Sequence, residues 1–545
     1  MRRKSVDRDF YVRGGELFLK GNEPEFFQKD PPRIMECFWA AASAGATLSE
    51  ELKACIEDAR SATATEEFQR SERCRDAFMS IMGLPSNAAQ TIHTMHEIGI
   101  LADYMPEFKR LFCLVRIDHY HRYTVDEHLI KTLEVSERLL QPPPSRYELS
   151  DVARRLKRWD LLNLSLLLHD IGKGEGHGHV LRGAVISQKL TQRMGLPAPD
   201  QEVVRQLILQ HLKMVHISQR RDLEDPHVIA EMAGTVPDIE LLSMLYILTY
   251  CDSKAVGPNT WTDWKAALLF DLYRKTVLFL EGEDPIRVID ESTMSQIQRK
   301  VSDILKDTAS EGVVAQFLAN AAPKYLNTIP ATKMARHLLL TQEVTPQIPA
   351  TWHLEEFKDL NYTEITVVAQ DTKGLLSFIC GALSSKDINI MSLQAFSTKD
   401  GFAIDVFQVT DLRGNKLPHG FRMDRLKTEL NQVLLKKKTP AEAFPIRQRK
   451  QISRPDLSVV KPSQVILDTD SSPDFTILEV KAYDRPGLLY DVTSTCFEQG
   501  YNIHLAMITT EAYRVVDVFY ITDLEFNKLS TNQIKKLRET LEAIV

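Results

Sequence analysis

The sequence predicts a multidomain chain, all-α over its first two-thirds and α+β over its last third, where one ferredoxin-like unit occurs twice. Three observations predict it. At 545 residues the chain exceeds what one hydrophobic core supports, so three or four domains are expected. Apolar residues recur at helical spacing from about Phe27 to Leu326. Past residue 360 the pattern becomes strand-like, and one block there returns 113 positions later.

Composition narrows the function classes. Hydrophobic residues make up 43% and charged residues 26%, which excludes collagen-like and wholly disordered chains. The longest apolar stretch, Ile239 to Cys251, is interrupted by Glu240 and Ser243 and falls short of a bilayer span. No apolar segment follows MRRKSVDRDF, so no secretory signal is read. The 7 cysteines include no CxxC pair, which argues against a disulfide framework and a cysteine-rich zinc site. A net charge of −7 lacks the basic excess of a nucleic-acid binder. A reducing, cytoplasmic protein with neither DNA nor membrane as partner is expected.

In order along the chain, residues 1–110 read mostly as helix, with a turn at Asp30-Pro31-Pro32 before MECFWAAA. Helical patterns run on to Leu280, broken at Pro142-Pro143-Pro144, Gly172 to Gly178 and Gly195 to Pro199. Thr293 to Leu326 is helical again, and TPQIPATW from Thr345 reads as a linker. TEITVVAQ from Thr363, INIMSLQAF from Ile388 and FAIDVFQVTD from Phe402 read as strands, with a helix over GLLSFICGALSSKD. A basic, Pro-marked connector follows, a solvated linker by its charge run.

The repeat aligns VVAQDTKGLLSFICGALSSKDINI with VKAYDRPGLLYDVTSTCFEQGYNI without a gap. Asp371, Gly374, Leu375, Leu376 and Asn389 match Asp484, Gly487, Leu488, Leu489 and Asn502. Further on, Asp405-Val406-Phe407 matches Asp517-Val518-Phe519. Each copy reads strand, DxxG turn, helix, strand, strand, helix, a ferredoxin-like order. The glycine permits a tight strand-to-helix turn whose N–H groups can face a small ligand. The second copy has no fourth strand after its last helix, and SQVILDT from Ser463 is a candidate to complete its sheet. The unit resembles the ACT domain, a regulatory module that binds amino acids between copies. That resemblance implies effector sites built from Asp371, Gly374, Leu375 and Asn389 with Asp484, Gly487, Leu488 and Asn502, and self-association through these copies.

The chemistry-bearing segment is LLNLSLLLHDIGKGEGHGHV from Leu161. An apolar helix ends at His169-Asp170, whose side chains stand about 100° apart and can approach one ion from adjacent sides. His128 in YTVDEHLI, His211 in LILQHLKMVH and Asp252 in LYILTYCDSK also emerge from apolar helical runs. A polar side chain there needs a partner, because burying it alone is costly. Imidazole and carboxylate suit several divalent ions.

The ordered series His128, His169-Asp170, Asp252 resembles the HD superfamily of metal-dependent phosphohydrolases over residues 115–285. The resemblance implies that His128, His169, Asp170 and Asp252 hold a first ion, Mg or Mn, with Asp170 bridging to a second held by His179 and His211. Of the HxH pair, His177 is the weaker candidate. Asp170 and Lys173 are the catalytic candidates, Lys173 as a phosphate contact.

YTVDEHLI, HDIGKGEGHGH, HLKMVHISQRRDLEDPHVI and DSKAVGPNTWTDWKAALLFDLY together resemble the central domain of the bifunctional uridylyltransferase/uridylyl-removing enzyme family. The family acts on the PII signalling protein, and its paired ACT domains report glutamine. NEPEFFQKDPPRIMECF resembles the segment joining its transferase and hydrolase domains. The implied organisation is a helical linker region (1–110), an HD domain with a helical extension (111–345), a first ACT domain (360–435), a basic connector (436–472) and a second ACT domain (473–545). Upstream of His128 there is neither a Gly-Ser loop nor a paired-Asp motif, so transferase activity is expected to be absent. The implied function is removal of UMP from uridylylated PII under glutamine control. The alternatives are another HD phosphohydrolase, acting on a nucleotide or alarmone, and a non-catalytic amino-acid sensor. IGKG after His169-Asp170 argues against an alarmone hydrolase, which carries acidic residues there.

Overall fold

The computed structural model describes residues 4–21, 25–115, 123–140, 149–175, 178–257, 261, 263–283, 291–306, 308–356, 362–412, 415–417, 421–444, 462–485, 487–511 and 514–545. His177 and most of the basic connector lie outside them. The chain forms two compact units, one of Met1–Arg221 with Pro226–Pro285 and one of Asp222–Asp225 with Ile286–Val545.

The first unit opens with a feature that corrects the helical reading of residues 1–110. Strands β1 (Phe10–Arg13) and β2 (Glu16–Leu19) form an antiparallel hairpin, flanked by the short strands Lys4–Ser5 and Thr47–Leu48. Gly14 and Gly15, both at positive φ, make the two-residue turn that matches strand twist. Alternation then buries Phe10 and Leu17 completely.

Helices make up the rest of this unit. The first long one is α1 (Pro32–Ala44), which begins at the expected Asp-Pro-Pro turn. Five later helices position the site: α2 (Val125–Leu139), α3 (Trp159–Leu168), α4 (His179–Arg193), α5 (Ala198–Gln210) and α6 (Ile239–Ala255), with α7 (Asp263–Leu280) following. Every residue of α3 from Leu161 to Leu168 is buried, as an all-round apolar helix requires.

The second unit begins with helices that include α8 (Glu311–Asn320) and ends in an eight-stranded antiparallel sheet. The first copy contributes β3 (Ala350–Glu356), β4 (Thr363–Gln370), α9 (Leu375–Ser385), β5 (Ile388–Ser397), β6 (Phe402–Asp411) and α10 (Phe421–Leu434). The second contributes β7 (Gln464–Asp468), β8 (Thr476–Tyr483), α11 (Leu488–Glu498), β9 (Asn502–Glu511), β10 (Arg514–Thr522) and α12 (Thr531–Glu542). The strand order is β3-β4-β6-β5-β9-β10-β8-β7.

Each copy therefore takes its outer strand from the segment before it. SQVILDT supplies β7 against β8, as its sequence suggested. TPQIPATW is not only linker, because Ala350 to Trp352 begin β3 and pair with Val367 to Ala369. The copies meet where β5 pairs with β9, and Gln394 lies opposite Met507, its own equivalent 113 positions on. A local two-fold axis thus passes between them. The helices of both copies cover one face over a shared core that includes Val367, Leu383, Phe407, Leu478, Val492 and Phe519.

Candidate metal centre

Helix ends of the first unit bring six side chains together. His128 lies in the first turn of α2, and His169 caps the C-terminus of α3 with Asp170 just beyond. His179 starts α4, His211 caps α5, and Asp252 sits in the last turns of α6. Buried side-chain bonds fix α3 in place. Ser136 Oγ of α2 donates to Asn163 Oδ1 at 3.0 Å, and Asn163 Nδ2 donates to the Met82 carbonyl at 2.7 Å.

Adjacent His169 and Asp170 serve two groups. His128, His169 and Asp252 form one group and Asp170, His179 and His211 the other, with the ligand atoms of each within 4.8 Å of one another. Nε2 of His128 is 3.0 Å from Asp252 Oδ1, and Nε2 of His169 is 3.5 Å from that same oxygen. Oδ1 of Asp170 is 3.5 Å from His179 Nε2 and 4.0 Å from His211 Nε2. The groups touch where Asp170 Oδ2 lies 3.5 Å from His169 Nε2. Lys173, one 3-10 turn on, brings its Nζ to 2.6 Å from Asp170 Oδ2.

Ring orientation favours ligation. Nδ1–H of His169 donates to the Leu166 carbonyl at 2.9 Å, and Nδ1–H of His211 donates to the Ile208 carbonyl at 2.7 Å. A carbonyl accepts only, so Nδ1 of each ring carries a proton, and Nε2 is the atom each ring aims at the cluster.

Electrostatics agree. Burial pushes the imidazoles of His128 and His211 down, the latter to about 4. Burial opposes charge on His169 too, but Asp252 and Asp170 outweigh it and raise this group to about 10. Burial also opposes ionisation of the two carboxylates. Lys173 and His169 nevertheless hold Asp170, and His169 and His128 hold Asp252, well below the usual carboxylate range. Ionised carboxylates beside the neutral imidazoles of His128 and His211 form a donor set for a divalent cation, which would take the place of the proton that Asp252 and Asp170 otherwise draw onto His169.

Two atoms test whether such a cation fits. Nε2 of His169 and Oδ1 of Asp170 are buried and make no hydrogen bond among the described residues. Leaving buried polar atoms unsatisfied is costly, and ligation would satisfy both. The residues fit the group.

One pair escaped the sequence reading. Asp126, two residues before His128 and 2% exposed, lies 3.1 Å from His96 Nε2 and accepts from the Cys113 N–H at 3.0 Å. It anchors the start of the helix that carries His128. The signal was present as an acidic residue inside an otherwise apolar helix face.

The effector candidates divide unequally. Gly374 and Gly487 both cap their helices at positive φ, at +80° and +86°. Asn389 Nδ2 donates across the copies to Asp484 Oδ2 at 3.3 Å, and these two line one cleft with Gly487 and Leu488. Their equivalents are not joined in this way. Asp371 accepts from Ser397 Oγ at 2.9 Å, and Asn502 Nδ2 donates to the Asp523 carbonyl at 3.1 Å. Leu375 is buried in the first turn of α9.

Comparison with known proteins agrees with this architecture. Three family models match: the uridylyltransferase GlnD third domain over residues 10–104, the HD domain over 125–243 and the ACT domain over 476–541. HD domains are metal-dependent, in keeping with the ligand groups above. The bifunctional uridylyltransferase/uridylyl-removing enzyme of Cereibacter sphaeroides is 30% identical over 99% of this chain and 57% of its own length. That of Azospirillum brasilense is 30% identical over 99% of this chain and 58% of its own length. The chain thus spans a little over half the length of these curated relatives. A solved CCA-adding enzyme in complex with ATP aligns over 61% of this chain and 64% of that one, at 12% identity and a TM-score of 0.32, too low to carry an argument. No helix among the described residues is long and apolar enough to cross a membrane. Third-domain, HD and ACT models thus match in that order along the chain, which over 99% of its length is similar to bifunctional uridylyltransferase/uridylyl-removing enzymes.

Proposed function

We propose that this chain is a divalent-metal-dependent phosphohydrolase of the uridylyl-removing type. It acts in the cytoplasm on the phosphodiester that links UMP to a PII signalling protein, and glutamine bound to the ACT pair controls it. The observation that carries the reading is Asp170, whose two carboxylate oxygens face the two ligand groups. In this reading His128, His169, Asp170 and Asp252 would hold one ion and Asp170, His179 and His211 a second, Mg or Mn in either case.

A divalent ion held by these residues would supply the charge that neutralises phosphoryl oxygens and would let water act as nucleophile near neutral pH. Water oxygen forms the new bond to phosphorus, the bond to the PII side-chain oxygen breaks, and UMP leaves as the freed hydroxyl regains a proton. The chain's own groups prepare this step. Asp170 stays ionised because Lys173 stands beside it. Lys173, beside Asp170, would contact the phosphate and limit charge repulsion during attack. The Nδ1 bonds of His169 and His211 keep Nε2 of both aimed inward.

The test uses a generic diester, bis(p-nitrophenyl) phosphate, with Mn or Mg. Hydrolysis that EDTA abolishes and Asp170→Asn removes supports the assignment. Equal hydrolysis by wild type and variant places the chemistry elsewhere.

A further inference from the structure

The two ACT copies are equivalent in sequence order but not in what fills the space between them. A cleft lies between the DxxG turn of the second copy and the α9–β5 corner of the first, lined by Ser384, Asn389, Asp484, Gly487 and Asp517. The two-fold axis generates a second location, between the turn of the first copy and the α11–β9 corner of the second. Position 384 of the first corner corresponds to position 497 of the second, 113 residues on, and there serine is replaced by phenylalanine.

The glycines report the consequence. A Cβ built on Gly487 would meet nothing within 4 Å. On Gly374 it would lie 2.8 Å from two ring carbons of Phe497 and 3.1 Å from Phe378. Phe378 and Phe497 pack edge to face with centroids 5.5 Å apart. Phe378 in turn corresponds to Asp491, which pairs with Arg485 at 2.6 Å. One location is thus lined by polar and aliphatic groups without an aromatic ring, and its counterpart is packed by two aromatic rings.

We propose that the ACT pair takes one amino acid per chain, in the Ser384–Asp484 cleft, and that Phe497 closes the equivalent cleft. This rests on reading the pair as an effector module. The open cleft offers opposite chemistries at short range. The Asp484 and Asp517 carboxylates suit an ammonium group, while the first turn of α11, capped by Gly487, suits a carboxylate. Ile388, Leu488 and Ile508 provide apolar wall. A small zwitterion matches this set.

The experiment is calorimetric titration of the full chain with glutamine, then with each other proteinogenic amino acid, using wild type, Ser384→Phe, Phe497→Ser and the double variant. Melting curves confirm that each variant is folded. The inference expects one site per chain in wild type and affinity weaker on the order of 100-fold in Ser384→Phe. It expects a second site in Phe497→Ser and a single, transferred site in the double variant. Two sites in wild type, or unchanged affinity in Ser384→Phe, overturns the single-cleft inference while leaving the effector reading intact. No binding of any amino acid by wild type overturns both.

Discussion

Nε2 of His128 lies 3.0 Å from Oδ1 of Asp252, so a residue in the first turn of α2 meets one 124 positions later near the end of α6. The pair joins two helices and presents adjacent ligand atoms. Asp252→Asn keeps an oxygen acceptor but removes the charge. Metal affinity is expected to fall on the order of 100-fold with little loss of fold. Asp252→Ala also removes the acceptor facing a fully buried imidazole, an added cost of about 1–3 kcal/mol. Metal titration and melting of both variants separate the two effects.

Metal binding should appear as stability. A ligand held only by the folded state stabilises by about 2.7 kcal/mol at 100 times its dissociation constant. Added Mn is expected to raise the melting temperature of wild type, and EDTA to reverse the gain. In Asp170→Asn, which lacks the charge common to both groups, the gain should largely vanish.

Close approach at Gly172 sets the path from Asp170 to His179. A Cβ there would fall 2.1 Å from the His179 carbonyl oxygen and 2.7 Å from the Gly183 nitrogen. Gly172→Ala must push α4 outward and carry His179 away from Asp170. The expected cost is about 1–3 kcal/mol, with loss of hydrolysis. Gly312→Ala in α8 is the control. Nothing lies within 4 Å of its Cβ, and the change should stabilise by about 0.4–1 kcal/mol.

A buried carboxylate in the first ACT copy gives stability a pH dependence. Burial raises Asp405 to about 8, and the nearby Asp371 adds to the rise. The folded state therefore holds a proton that the unfolded chain releases near pH 4. Stability from this group is fully present below pH 4 and is lost as pH climbs toward about 8. Asp405→Asn removes that slope. Its melting temperature should exceed that of wild type more at pH 8 than at pH 5, by on the order of 2–4 °C for each kcal/mol recovered.

Legibility in the sequence followed how local each signal was. The repeat could be read because equal spacing preserves Asp371 and Asp484, Gly374 and Gly487, and the sheet pairs Gln394 with its own equivalent Met507. The histidines and aspartates could be read because polar residues in apolar helical runs need partners. Their division into two groups could not, since it depends on how α3 ends and where α4 begins. The hairpin at Gly14-Gly15 was missed although alternating apolar residues flank a two-residue glycine turn, because helical propensity downstream outweighed four-residue strands. Strand β3 was hidden by the prolines of TPQIPATW, which mark its entry rather than exclude a strand. The closed counterpart cleft is a tertiary fact, visible only once Phe497 is seen against Gly374.

The central claim is tested most directly by following UMP release from uridylylated PII with Mn or Mg present and glutamine varied. The account predicts release that requires the metal, rises with glutamine and disappears in Asp170→Ala. Metal-loaded, folded protein that leaves uridylylated PII intact at every glutamine concentration would contradict it.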